Sequence, residues 1–96
     1  MNTGIKEQVL KEIIDLARKH DLKKVILFGS RARGDYHRAS DIDLAVYGGN
    51  IIEFALDVEE FTSTLLTYDV VDMGKELQKG FRETIEAEGE VIYEKV

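Results

Sequence analysis

Cysteine and proline are both missing from this chain. Without cysteine there is no disulfide framework, no thiolate zinc site and no cysteine nucleophile. There is also no Gly/Ser-rich linker, low-complexity tract or repeat, so nothing marks an internal boundary. Its 96 residues, 44% of them apolar, suit one core and are too few for two. A single domain over residues 1–96 is expected. Basic residues are in short supply, with 13 Lys and Arg against 19 Asp and Glu, a net charge of −6. That balance argues against a general nucleic-acid-binding surface, which needs clustered cations. A cationic partner such as a metal ion stays open. Long apolar runs are missing too. Charges interrupt MNTGIKEQVLKEIIDLARKH every few positions, so it supplies neither a signal-peptide core nor a membrane span. A cytoplasmic protein is the default expectation.

What is present is periodic. Ile5, Val9, Ile13 and Leu16 recur at spacings of three and four, predicting a helix from about Gly4 to His20 that Thr3 could cap. Val25 to Phe28 is a short apolar run stopped by Gly29, the pattern of a buried strand. A turn or short helix follows through Arg33 and Gly34. In Asp41 to Tyr47, Ile42, Leu44 and Val46 alternate with Asp41, Asp43 and Ala45, predicting a strand with one apolar face. Phe54, Val58, Phe61 and Leu65 predict a helix over Ile51 to Leu66, and Tyr68 to Met73 a third strand. Leu77, Phe81 and Ile85 mark a last helix ended by Gly89, before a strand at Val91 to Tyr93. The expected fold class is α+β, a small mixed sheet of about four strands with helices packed on it.

Two short patterns carry chemistry. A strand's two-residue repeat points Asp41 and Asp43 to one side, their Cα atoms roughly 6.5 to 7 Å apart. Two such acids can share a hard cation, and Mg²⁺ prefers carboxylate, phosphate and water oxygens. A lone DxD is equally what a half-exposed strand shows to solvent. Upstream, Gly29 leaves a buried strand, so the backbone can approach a phosphate closely, and Ser30 offers a hydroxyl beside the N–H groups of a helical turn. Taken alone, this is also an ordinary strand-ending turn. The GxxxxGK[ST] and GxGxxG patterns are absent, so neither P-loop nor Rossmann binding is supported.

Together the patterns are more specific. Gly29-Ser30, ten residues, then Asp41-x-Asp43 resembles the GSx₁₀DxD signature of the minimal nucleotidyltransferases, a branch of the DNA polymerase β-like superfamily. FGSRARGDYHRASDIDLAV is similar to that family over its whole length. The resemblance implies a third metal-binding carboxylate on the next strand, at Asp69, with Asp72 as the other register. It implies two Mg²⁺ ions on Asp41, Asp43 and Asp69, a nucleoside triphosphate, most simply ATP, held through Gly29 and Ser30, and transfer of a nucleotidyl group to a hydroxyl. Asp69 would act as base, metal ligand or both. Arg31 and Arg33 flank the turn, where a guanidinium can pair with phosphate oxygens, although surface arginines are common. His37 lies between the two halves of the motif, where most histidines have no catalytic part.

Three functions compete. The first is transfer of AMP, or another NMP, to a hydroxyl held by another chain, since no segment reads as an acceptor-binding domain; the resemblance to the small family members that accompany HEPN-domain proteins implies a HEPN-domain partner and the antitoxin role of a toxin–antitoxin pair. The second is a silent module that neutralises a partner by contact. The third is a small-molecule adenylyltransferase of the aminoglycoside-modifying kind. No membrane partner and no direct nucleic-acid binding are expected, and homo-oligomerisation is left open.

Overall fold

Strand β1 (Lys24–Phe28) is apolar on both sides because both of its faces are covered. In the computed structural model, which describes residues 2–96, it pairs antiparallel with β2 (Ile42–Tyr47) and β4 (Glu90–Glu94), while β3 (Tyr68–Asp72) adds to β2 in parallel. The sheet order is β3-β2-β1-β4. One parallel pair among antiparallel ones makes the sheet mixed, as the α+β reading expects. Helices α1 (Glu7–Lys19) and α3 (Ile51–Phe61) cover one face, where Val9, Ile13, Phe54 and Val58 meet Val25, Leu27, Ile42, Leu44 and Val46. Helix α4 (Phe81–Glu88) covers part of the other, where Ile85 joins Ile26, Phe28, Ala45 and Met73. Among the described residues no helix is long and apolar enough to cross a membrane.

The four-residue helix α2 (Ser30–Arg33) follows β1 directly. Its chain is closed off by Gly34, whose left-handed φ of 95° ends the turn.

Several element ends differ from the periodic reading, each for a local reason. Thr3 is buried, and its hydroxyl accepts the Ile5 N–H in a turn ahead of the helix instead of capping it; α1 then begins at Glu7 after an uncapped Lys6. Helix α3 stops at Phe61, because the Thr62 hydroxyl bonds back to the Val58 carbonyl and also meets the Tyr68 hydroxyl, while Ser63 is drawn to the Glu12 carboxylate. Its start is set by Asn50, which accepts the Glu53 N–H. Helix α4 begins at Phe81 rather than Leu77, since Gly80 is left-handed at φ 84° and breaks a run whose spacing is helical. Gly89 follows α4 in an extended conformation, not the left-handed one expected of a C′ glycine.

Candidate active site

Gly29 leaves β1 with φ 74° and ψ −158°, a backbone region essentially reserved for glycine. Its neighbour across the sheet explains why the position is kept bare. A Cβ built there would collide with Asp43 Oδ2 and lie 3.0 Å from Asp43 Cγ. Phe28, directly before Gly29, pairs with Asp43 in the β1–β2 register, so the turn and the carboxylate are held together by the sheet. The N–H groups of Ser30 and Arg31 open α2, where no preceding helical carbonyl can take them. Ala32 and Arg33 donate to the Gly29 carbonyl at 3.1 Å each.

Asp43 shares the sheet face of Ala45, while Ile42, Leu44 and Val46 point into the α1–α3 core. On β3 its parallel register partner is Asp69, one strand spacing away, about 4.8 Å. Asp72 pairs with Val46, and its odd separation from Asp69 puts it on the opposite face. There its Oδ1 accepts the Gly74 N–H at 2.8 Å. Asp69, not Asp72, therefore stands beside Asp43. On the chemistry that the resemblance implies, replacing Asp69 by Asn is expected to lower nucleotidyl transfer by roughly 10²- to 10⁴-fold, the range for losing a positioned proton acceptor. Asp72→Asn should stay within about threefold of the parent, since it touches neither. Steady-state rates of the two variants check this, and equal losses would contradict it.

Asp41 lies just before β2. It is exposed, and its Oδ1 accepts the Thr67 hydroxyl; the two chains are joined there by the Ile42 N–H donating to the Thr67 carbonyl at 2.9 Å. Burial, then the Asp69 and Asp41 charges, push the Asp43 carboxyl up to about 6, and Arg33 partly offsets this. Arg33 is exposed, with long contacts of 3.4 Å to Asp35 and to Glu88 on α4. Exposed pairs of that length contribute little, so its guanidinium can exchange partners.

Among the described residues no three His, Cys, Asp or Glu side chains stand close enough to hold a metal ion as they are. The donor set nevertheless fits a hard cation. It is all oxygen, Asp43 is raised by burial and then by like charges that a cation would relieve, and exposed Asp41 can trade the Thr67 hydroxyl for another ligand.

The polymerase beta nucleotidyltransferase family model matches residues 11–96. The chain belongs to that family. A "putative protein adenylyltransferase" of Methanocaldococcus jannaschii is 33% identical over 99 residues, covering 91% of this chain and 97% of its own. Among solved structures, a chain from the crystal structure of a toxin–antitoxin with AMP-PNP superposes with a TM-score of 0.73 at 26% identity, over 90% of this chain and 73% of that one. A chain from a mutant of the toxin–antitoxin MntA-HpeT gives 0.69 at 25%, over 88% and 72%.

For this nucleotidyltransferase the structure also relocates one expected site residue. Arg31, read from the sequence as a phosphate contact, is 2% exposed, and its guanidinium donates to the carbonyls of Thr3, His37, Arg38 and Ser40. Its side chain is committed to the protein, which leaves its backbone N–H for a ligand. His37 is exposed, and its N–H is taken by the Ser40 hydroxyl at 2.7 Å. Thr67 escaped sequence reasoning altogether; its place two residues before Asp69 was the only available signal.

Proposed function

We propose that the chain transfers AMP from ATP to a hydroxyl on a HEPN-type protein, with Asp41, Asp43 and Asp69 as the acidic centre and the Gly29–Ser30 turn as the phosphate cradle. The observation that carries this reading is the Asp43–Asp69 register with Gly29 held bare against Asp43. The protein acceptor is supported by the name of the archaeal relative and by the toxin–antitoxin structures, one of them with AMP-PNP. Openness supports it as well. Asp41 and Asp69 are exposed, and a cleft of about 890 Å³ at the same end of the sheet, lined by Ile5, Val9, Ala39 and Leu66, includes none of the three acids. Small ligands are usually bound with most of their surface covered, so a second protein is the better source of the missing wall.

Asp41, Asp43 and Asp69 would hold two magnesium ions, whose chemistry is to screen the triphosphate and acidify the acceptor hydroxyl. The Ser30 hydroxyl and the Ser30 and Arg31 N–H groups donate to the phosphates, and Arg33 adds a positive charge alongside. The acceptor oxygen bonds to the α-phosphorus, the bond from that phosphorus to the bridging oxygen breaks, and pyrophosphate leaves. Asp69, exposed and paired in register with Asp43, takes the hydroxyl proton.

Replacing Ser30 by Ala removes one hydrogen bond to a charged group, worth about 1.5 to 3 kcal/mol, so nucleotide use should fall on the order of 10- to 100-fold with little change in melting temperature. Unchanged kcat/KM for ATP would remove the cradle from the mechanism. Millimolar Mg²⁺ with ATP should raise the melting temperature, because ligands that bind only the native state stabilise it; a flat titration would count against the site. The group transferred is identified by parallel reactions with α- and γ-labelled ATP and a HEPN-domain protein as the acceptor. Label should enter the acceptor from the α position alone. Label from the γ position would make the reaction phosphoryl transfer and overturn the reading.

A further inference from the structure

We propose that Arg31 is a positioning residue, whose buried guanidinium fixes the segment carrying Asp41 against the phosphate turn; this rests on the function proposed above. The β1–β2 pairing extends only as far as Phe28 and Asp43. Beyond that point the sheet no longer sets the distance between Ser30 and Asp41, which are joined by the loop from Gly34 to Ser40. Arg31 closes this gap. Its backbone is in α2, next to Ser30, while its Nε donates at 3.0 Å to the carbonyl of Ser40, the residue before Asp41. One terminal nitrogen donates to the carbonyls of Arg38 at 3.2 Å and His37 at 3.4 Å, and the other to that of Thr3 at 2.9 Å.

The guanidinium stacks over Tyr36, 4.8 Å from the ring centroid, and the Tyr36 hydroxyl donates to Asn2 at 3.2 Å. Residues 2–4 thus form a roof on the loop. Gly4 is fitted to that arrangement: at φ 70°, a Cβ there would strike the Tyr36 ring and approach an Arg31 terminal nitrogen to 2.8 Å.

The partners of this buried charge are carbonyl dipoles and a ring, with no carboxylate among them. A charge removed from water without such partners is costly, so the geometry tolerates little drift. Only a planar fork serves these diverging carbonyls; an ammonium is a point charge and cannot reach them together. Losing the fork should let the Asp41 side of the site move relative to Ser30, and misplacement of about 1 Å can cost on the order of 10²-fold where groups must converge.

Arg31→Met, Arg31→Lys and Gly4→Ala are compared with the parent by thermal melting, by amide hydrogen exchange over residues 35–42, and by ATP affinity with and without Mg²⁺, well below each melting temperature. The expected result is faster exchange in that segment in all three. Affinity for ATP alone should stay within about threefold for Gly4→Ala, while the gain in affinity conferred by Mg²⁺ falls about tenfold or more for both Arg31 variants. Lysine should not rescue it. Should Arg31→Met fail to fold, the lysine and Gly4 variants carry the test, since Gly4→Ala keeps the arginine and every site residue. Folded variants with parental exchange and a parental Mg²⁺ effect would reduce Arg31 to a stabilising residue and overturn the proposal. If the parent itself shows no Mg²⁺-dependent binding, the proposed function fails, and exchange over residues 35–42 alone decides whether Arg31 holds the segment.

Discussion

Asp43→Asn should lower nucleotidyl transfer by about 10³-fold or more, since in the proposed function it is a ligand carboxylate whose loss removes several kcal/mol of charge stabilisation. The same variant should melt at a higher temperature than the parent in metal-free buffer at pH 7. These opposite signs follow from one cause. In the folded protein burial, then Asp69 and Asp41, raise the Asp43 carboxyl from the ordinary 3.8 to about 6, so its charge is disfavoured there relative to the unfolded chain. Between those values the folded state binds more protons than the unfolded one, and stability falls as pH rises. Below the window Asp43 is protonated in both states and the penalty vanishes; above about 6 it is fully present and constant. Asn carries no charge and should flatten this part of the pH–stability curve. Thermal melts of both proteins from pH 3.5 to 7.5 check the sign. An Asn variant that melts lower than the parent at pH 7 would make Asp43 a structural residue, and one that keeps its activity would remove it from the mechanism.

Gly29→Ala should also damage activity and, unlike Asp43→Asn, should destabilise. Two costs add. The backbone at φ 74° and ψ −158° is one that side chains rarely adopt, at a cost of order 1–3 kcal/mol. The new methyl must also displace the Asp43 carboxylate from its place beside Asp69 in the register. Transfer should drop by about 10²-fold or more, as for any misplacement of converging groups, and the midpoint of chemical denaturation should shift by roughly the strain. The double variant Gly29→Ala, Asp43→Gly, which clears the collision, should recover part of the stability and none of the activity. Full recovery of stability would mean that the backbone strain is negligible; no recovery would mean that Asp43 is not what the methyl meets.

Much of this site was legible because its signals are local. A buried strand ending in Gly-Ser, and an alternating strand opening with Asp-x-Asp, each fix a face through a period of two, and the structure pairs the two strands so that Phe28 meets Asp43. The resemblance favoured Asp69 over Asp72, but the residues of the strand alone did not, because no position of β3 is fully buried and YDVVD offers no apolar side to set the parity. The register with β2 puts Asp69, not Asp72, beside Asp43. Arg31 misled for a different reason. Its partners are backbone carbonyls, which every residue has, so nothing in the composition of Thr3, His37, Arg38 or Ser40 marks them as a guanidinium site. Helix ends were misread where tertiary bonds overrode periodicity, as when Glu12 reaches across to Ser63 beyond the end of α3. Leu65 keeps the helical spacing but lies in that loop, fully exposed.

The most direct measurement is the intact mass of both chains after incubation of this protein, a HEPN-domain protein as the proposed acceptor, ATP and Mg²⁺, with Asp43→Asn run in parallel. The expected result is that the HEPN chain gains the mass of one or more AMP groups on Tyr, Ser or Thr, that this chain's mass is unchanged, and that the variant transfers nothing. An unmodified HEPN chain whose inhibition by this protein persists equally in the parent and in Asp43→Asn would contradict it, and would make the chain a module acting by contact.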